Sequence, residues 1–302
     1  MPAVRERYVT TNGIRLFCVE EGRGPLVLLV HGFPEFWWSW RAQLTGLAAA
    51  GYRAVAVDLP GYGRSDKPDV PYDEPWVNAC LAGAVESLGA EQCVIAGHDW
   101  GGLLVWPFVR RYPHLVAGVV GVNTPDLPRG TLPPLAVMEH VFGDKPNYIM
   151  QFQPYGPAEY LIGRDPRAFM EAMLLGPATR RPEVFTPDVV DRFTEVFATE
   201  GSLTPPLSYY RSMDVNWHAA AWEPDAAAVA RRFTVRFVDE QGRTMSHWNK
   251  LLKGALVRFL AESGADDPAA LAPFRHPTGY RFDPGASDLG GVHAQVVFRV
   301  QP

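Results

Sequence analysis

Gly97-His98-Asp99-Trp100-Gly101 decides the reading of this chain. The residues before it, Cys93-Val94-Ile95-Ala96-Gly97, form an apolar run that reads as a buried strand. Those after it, Gly102-Leu103-Leu104-Val105-Trp106, read as the start of a helix. The pentapeptide therefore sits on a sharp strand-to-helix turn, with the G-x-Nuc-x-G spacing of a nucleophile elbow and Asp99 at its tip. Such a turn strains the backbone and demands small neighbours, supplied by Gly97 and Gly101. A helix N-terminus favours negative charge beside it. A carboxylate in that position can attack an electrophilic carbon and form an ester, chemistry suited to carbon–oxygen or carbon–halogen cleavage rather than to peptide or lipid hydrolysis. Taken alone, the same pentapeptide is also compatible with an Asp that merely caps a helix, so the rest of the chain has to arbitrate.

Working outward, Arg7–Thr11 and Ile14–Val19 alternate around Asn12-Gly13, the pattern of a hairpin. Continuous apolar runs follow at Leu26–Val30, Arg53–Val57, Cys93–Gly97 and Leu115–Val122, with helical stretches at Trp40–Ala50, Pro75–Leu88 and Gly102–Tyr112 between them. Strands apolar on both faces, alternating with helices, predict an α/β fold with a mostly parallel sheet covered on both sides. Ligands of such sheets bind beyond the carboxyl ends of the strands. The loops His31–Trp38 and Asp58–Lys67 begin there, as does Asp99.

From Thr131 to about Trp222 the strand pattern stops. The stretch is rich in aromatics, Met and Pro, with helical patches at Arg167–Leu175 and Val189–Ala198. It is too long for a plain loop and reads as a helical insertion over the mouth of the sheet. The expected organisation is a core over residues 1–130, a helical lid over 131–222 and an atypical C-terminal segment over 223–302. That last segment holds strand-like runs at Phe233–Val238 and His293–Val300 and a helix-like run at Leu251–Leu260.

Composition narrows the function classes. In 302 residues with 47% hydrophobic content and a net charge of −5 there is material for a sizeable core. There is no basic footprint for nucleic acid. Cys18, Cys80 and Cys93 lie far apart and show neither metal-ligand nor disulfide spacing. No apolar run approaches a membrane span and the first residues carry no signal segment. The expectation is a cytoplasmic protein without a cofactor, acting on a small molecule and not on membrane or nucleic acid.

His31-Gly32-Phe33-Pro34 follows a buried strand directly. An ester on Asp99 needs backbone N–H donors for its oxyanion; a glycine loop at a strand end supplies one and the residue after the nucleophile another, which assigns the hole to Phe33 and Trp100. His31 itself, ending a core strand, reads as a loop brace. Asp58-Leu59-Pro60-Gly61-Tyr62-Gly63-Arg64-Ser65 lacks the Lys-Ser/Thr pair of a phosphate loop and reads as a structural turn.

With these residues in view, the chain resembles the α/β-hydrolase-fold epoxide hydrolases. His31 to Pro68, Gly97 to Gly102 and Val122-Asn123-Thr124-Pro125 carry the likeness in the core. In the helical stretch it is carried by Asn147-Tyr148-Ile149-Met150-Gln151-Phe152-Gln153 with Gly156-Pro157-Ala158-Glu159, and by Ser202 to Arg211 with Asn216-Trp217. The resemblance implies that Asp99 opens an epoxide as nucleophile while Tyr148 and Tyr210 activate it, with epoxide and water as substrates. Opening an epoxide leaves an alkoxide, and two phenols can hydrogen-bond to it and deliver a proton.

The resemblance also implies a late His, oriented by an acid, that activates water against the ester. The region beyond Trp222 departs from that pattern. Asp239, after Phe233–Val238, and His247, in Ser246-His247-Trp248, are the substitutes by residue type. Seven residues between them leave no space for a helix and another parallel strand. His276 and His293 fit no better. The expectation is an enzyme that forms the ester and hydrolyses it poorly. The tail from about residue 233 is itself similar to the C-terminal end of a bacterial peroxide-stress protein family, which carries no site residue over. A haloalkane dehalogenase shares the Asp-Trp elbow, but usually has Asn where Phe33 stands and needs no tyrosine pair. A hydrolase-fold binding protein without turnover is the remaining alternative.

Overall fold

The computed structural model describes residues 4–124, 126, 132–142, 147–176, 179, 182–199, 201–219, 232–238, 280–282, 287 and 293–300. Asn12 and Gly13 both take positive φ, 46° and 81°, as a two-residue hairpin turn with the twist of its strands requires. They join β1 (Arg5–Thr11) to β2 (Ile14–Gly22). The apolar runs become β3 (Leu26–Val30), β4 (Arg53–Val57), β5 (Cys93–His98) and β6 (Val116–Val122). Late in the chain come β7 (Arg232–Val238), β8 (Tyr280–Phe282) and β9 (His293–Val300). Among the described residues these nine strands form one sheet in the order β1-β2-β4-β3-β5-β6-β7-β9-β8. The strands from β4 across to β9 run parallel, and β1, β2 and β8 pair antiparallel towards the two edges.

The sheet is sandwiched as its apolar strands demand. Leu28, Val30, Val55, Val57 and Ile95 face one layer, packed with α2 (Glu74–Ser87) and α3 (Trp100–Arg111). Val27, Leu29, Ala54 and Ala56 face the other, against α1 (Arg41–Ala49) and the fully buried Trp40. The start of α2 is set by Asp73, whose carboxylate accepts the Trp76 N–H at 3.0 Å, with Pro75 in the first turn. The described residues between 134 and 219 are helical wherever they are regular: α4 (Pro134–Phe142), α5 (Tyr148–Gln151), α6 (Pro157–Arg164), α7 (Pro166–Leu175), α8 (Pro187–Phe197), α9 (Thr204–Arg211) and α10 (Met213–Ala219). The helical patches read at Arg167–Leu175 and Val189–Ala198 are α7 and α8.

These helices dock on the carboxyl edge of the sheet through aromatic rings. Val190, Phe193 and Phe197 lie on one face of α8 and are buried, as a 3.6-residue period dictates. Phe193 meets Phe36 edge-on at 5.5 Å, and Phe197 meets Phe33 at 5.9 Å. Each such buried ring contributes roughly 1.5–3 kcal/mol of transfer free energy.

The late chain adds strands to the sheet. β7 continues it beside β6, with Val122 opposite Val235, and β9 lies beside β7. The short β8 escaped the sequence reading: three residues are too few for a period to show. The helix read at Leu251–Leu260 lies outside the described residues. No described helix is long and apolar enough to cross a membrane.

Candidate active site

Asp99 occupies the turn between β5 and α3 with φ 55° and ψ −121°, a backbone region that costs an ordinary residue about 1–3 kcal/mol. The two flanking glycines make the turn possible by close approach. A Cβ on Gly97 would stand 2.2 Å from the Gly101 carbonyl oxygen, and one on Gly101 would stand 2.2 Å from that of Val30. Although Asp99 holds the N-cap position of α3, its carboxylate caps nothing. Instead Asp99 Oδ1 accepts the Phe33 N–H at 2.8 Å. Trp100 is the first residue of α3, where N–H groups have no partner within the helix.

The loop that presents Phe33 is pinned from beneath. The buried His31 accepts the Leu59 N–H at Nε2, 3.0 Å, and its Nδ1 donates to the Gly32 carbonyl at 2.8 Å. Those two partners fix the neutral tautomer with the proton on Nδ1, so His31 braces the loop as the sequence suggested. Asp58 ties the next loop in. Its carboxylate accepts from the N–H groups of Trp37 (2.8 Å) and Arg64 (2.9 Å), and burial pushes its carboxyl up to about 6. Ser65 donates to the Asp58 carbonyl and accepts the Phe17 N–H. The Asp58–Ser65 stretch is thus a structural turn.

Above Asp99 lies a cavity of about 80 Å³ lined in part by Phe33, Glu35, His98, Asp99, Tyr148 and Tyr210. Tyr148 begins α5 at the cavity mouth, 42% exposed. Burial pushes its phenol up to about 12; the nearby Asp99 charge acts the same way, and a hydrogen bond with Tyr210 works against them. Tyr210, on α9, is 4% exposed, and burial first, then Asp99 and Tyr148, hold its phenol well above the ordinary tyrosine range. The two rings meet edge-on at 6.0 Å. Both phenols are therefore kept as donors beside one carboxylate. The neighbouring Tyr209 faces away, giving its hydroxyl to the Pro60 carbonyl at 2.8 Å. The Trp100 ring packs edge-on against Tyr209 and Tyr210, at 5.7 and 5.1 Å.

The Phe33 ring meets Phe152, Phe169, Phe197 and Tyr210, all between 5.2 and 6.1 Å. The residue whose backbone touches Asp99 is also the one on which the helical segment rests.

Glu35 and His98 were missed by the sequence reading. His98 Nδ1 lies 3.3 Å from Glu35 Oε1, with both side chains buried. The only signal was position: one follows the His31–Pro34 loop and the other precedes the nucleophile. Asp239, His247 and His276 lie outside the described residues. His293 is described and starts β9 opposite Arg232, at the amino end of the parallel strands. Asp99 follows the carboxyl end of β5, so His293 sits at the opposite edge. Among the described residues no group of three His, Cys, Asp or Glu is arranged to hold a metal ion.

The α/β hydrolase fold family matches residues 25–174. Epoxide hydrolase A of Mycobacterium tuberculosis is 36% identical over 250 residues, spanning 73% of this chain and 78% of its own. Epoxide hydrolase 3 of Siraitia grosvenorii is 32% identical over 258 residues, 78% of this chain and 81% of its own. Among solved structures, an epoxide hydrolase from Vigna radiata superposes with a TM-score of 0.71 at 31% identity, covering 78% of this chain and 80% of that one. Epoxide hydrolase A from Mycobacterium thermoresistibile superposes with the same score at 34% identity, covering 78% and 83%.

Proposed function

Because the chain belongs to the α/β-hydrolase-fold epoxide hydrolases, we propose that it opens small epoxides through an ester on Asp99 and that hydrolysis of this ester is its slow half-reaction. A carboxylate oxygen of Asp99 attacks one epoxide carbon, the carbon–oxygen bond breaks, and the departing oxygen takes a proton from Tyr148 or Tyr210. Water then adds to the ester carbonyl, whose oxyanion is received by the N–H groups of Phe33 and Trp100. Collapse releases the diol and the carboxylate, and the proton that water gives up returns to the tyrosinate left by the first step. Residues 131–222 act as the lid that keeps bulk water off the first step, over a core formed by residues 1–130.

The observation that carries this reading is the Phe33 N–H on Asp99 Oδ1 at 2.8 Å. The same oxygen becomes the ester carbonyl oxygen, so one donor for the second step already stands in place. The cavity that joins Asp99 to both tyrosines supports the first step. Phe33, where a dehalogenase usually has Asn, and the tyrosine pair, all lining the cavity of Asp99, support an epoxide over a halide as substrate. The slow second step follows from the late chain, where neither Asp239 nor His247 has the spacing of an acid–base pair spread over successive strands, and His293 lies at the wrong edge.

Intact-protein mass spectrometry after mixing with a reactive aryl epoxide tests this. The expected result is one long-lived adduct, mapped to the peptide of Asp99 and absent in Asp99→Ala. Hydrolysis of that ester should be slowed roughly 10⁴-fold or more relative to a base-assisted step, the loss typical of a missing triad base. Sustained turnover without adduct would overturn the slow step and show that a base operates. An adduct mapped elsewhere would overturn the assignment of Asp99.

A further inference from the structure

The two phenols come from different helices, and something must fix the distance between them. α5 is only four residues long (Tyr148–Gln151), too short to hold its own geometry. What holds it is the residue after the other tyrosine. Arg211, next to Tyr210 and with a side chain only 7% exposed, donates from Nε to the carbonyls of Phe152 (3.0 Å) and Gln153 (3.3 Å), and from Nη2 to that of Pro154 (3.1 Å). These are the three residues that follow α5. The grip is returned: Gln153 Nε2 donates to the Tyr210 carbonyl at 3.2 Å and to that of Ile149 at 2.9 Å.

Behind this crossing, Arg211 Nη1 pairs with Glu159 Oε1 at 2.8 Å. Glu159 in turn accepts the Gly156 N–H (2.9 Å) and the Thr204 hydroxyl (3.2 Å). The Arg211 guanidinium also covers the Tyr155 ring at 4.0 Å. Each segment thus binds the backbone of the other: Gln153 at Tyr210 itself, and Arg211 at the residues that follow the helix Tyr148 begins. A planar fork suits this and an ammonium does not, because three carbonyls and a carboxylate are met from Nε, Nη1 and Nη2 separately.

We propose that Arg211 and Gln153 form a positioning clamp that sets the spacing of Tyr148 and Tyr210, so that both hydroxyls reach one epoxide oxygen; this rests on the roles given above to Asp99 and the two tyrosines. Loosening the clamp leaves each phenol in the cavity but separates the pair. Ester formation slows while substrate binding, a matter of cavity shape, is retained.

The test compares single-turnover ester formation in the full chain, Arg211→Lys, Tyr148→Phe and the double variant, each labelled with fluorotyrosine and checked for native circular dichroism. Arg211→Lys should slow ester formation roughly 10-fold, as a misplacement of under 1 Å can, with half-saturating epoxide within about twofold of the parent's. In the Tyr148→Phe background the same change should slow it no further, because there is no longer a pair to align. An additive loss in both backgrounds, or no loss, would overturn the clamp and leave Asp99 and the tyrosines as proposed. If the parent forms no ester, the reading of Asp99 falls, and the ¹⁹F resonance of Tyr148, assigned by its absence in Tyr148→Phe, decides the clamp by itself. Movement of that signal in Arg211→Lys supports it, and an unmoved signal overturns it. If Arg211→Lys does not fold, Gln153→Leu is judged by the same criteria.

Discussion

Asp99 and the tyrosine pair face each other across one cavity, yet the two sides are held by different means. Asp99 is positioned by backbone against backbone. Its turn is strained at φ 55°, the flanking glycines let β3, β5 and α3 approach within van der Waals contact, and a backbone N–H receives its carboxylate. Tyr148 and Tyr210 are positioned by side chains: rings set edge-on around Phe33 and Phe152, and Arg211 and Gln153 reaching over to carbonyls of the other segment. A backbone joint is rigid and intolerant of substitution. A side-chain joint can be adjusted by single residues, so the half of the site that meets the leaving oxygen is the half that can vary without loss of the sheet.

The largest effect expected from either side is Asp99→Ala. It removes the nucleophile, and ester formation should fall by about 10⁴-fold or more with the fold retained, as read by adduct formation and thermal melting. An adduct of unchanged yield in the variant would break the comparison at its root.

Next in size is Gly101→Ala. The added Cβ meets the Val30 and His31 carbonyl oxygens at 2.2 and 2.6 Å, and neither can withdraw without parting β3 from the elbow. We expect a loss of about 3 kcal/mol or more, measured by denaturant unfolding, or no soluble protein. A stability within about 1 kcal/mol of the parent's would show that the core side is as yielding as the helical side.

On the helical side, Tyr148→Phe and Tyr210→Phe should each slow ester formation by roughly 10²-fold at most while the partner phenol remains. Because burial raises the Tyr148 phenol to about 12, it stays protonated as pH rises. Ester formation should therefore show no basic limb from Tyr148 below about pH 10. Tyr209→Phe is the internal control. It leaves the buried Pro60 carbonyl without its hydroxyl donor, which should cost about 1 kcal/mol of stability and leave the ester rate alone. A Tyr209→Phe that slows chemistry as much as Tyr210→Phe would show that the whole ring cluster, and not one hydroxyl, does the work.

The same contrast explains what the sequence disclosed. The β5–elbow–α3 unit was readable because its determinants are neighbours in the chain: an apolar run, two glycines four apart and an apolar helix face. The Asn12-Gly13 turn and the strands β3, β4 and β6 were readable for the same reason. The tyrosines were not. Nothing in the period or composition of residues 131–222 separates Tyr148 and Tyr210 from Tyr209, Tyr155 or Tyr160, and only family resemblance singled them out. The Arg211 and Gln153 contacts join residues about 57 apart, and such pairings leave no local trace. Glu35 and His98 pair across 63 positions and were overlooked for that reason, although each adjoins a motif that was noticed. In the tail, β7 showed through a strand-like run and β9 through an alternating one, whereas the three-residue β8 exists only through its pairing with β9.

The smallest expected effect is the sharpest test of strain on the core side. At φ 55° and ψ −121° Asp99 occupies a region that glycine enters freely and other residues enter at a cost of about 1–3 kcal/mol. Asp99→Ala and Asp99→Gly both delete the carboxylate and its bond from the Phe33 N–H, so the two variants lose the same interaction and the same chemistry. They differ in backbone preference and in the one Cβ that alanine keeps. Alanine keeps the strain; glycine releases it, and loses about 0.5–1 kcal/mol through the greater freedom of its unfolded chain. The balance should leave Asp99→Gly more stable than Asp99→Ala by about 1 kcal/mol, measured by urea unfolding with the slope unchanged. A Gly variant equal to or weaker than the Ala variant would mean that the elbow stores no strain. Asp99 would then be held only by its glycine neighbours and the Phe33 N–H, and the difference between the two sides of the cavity would shrink to one of packing.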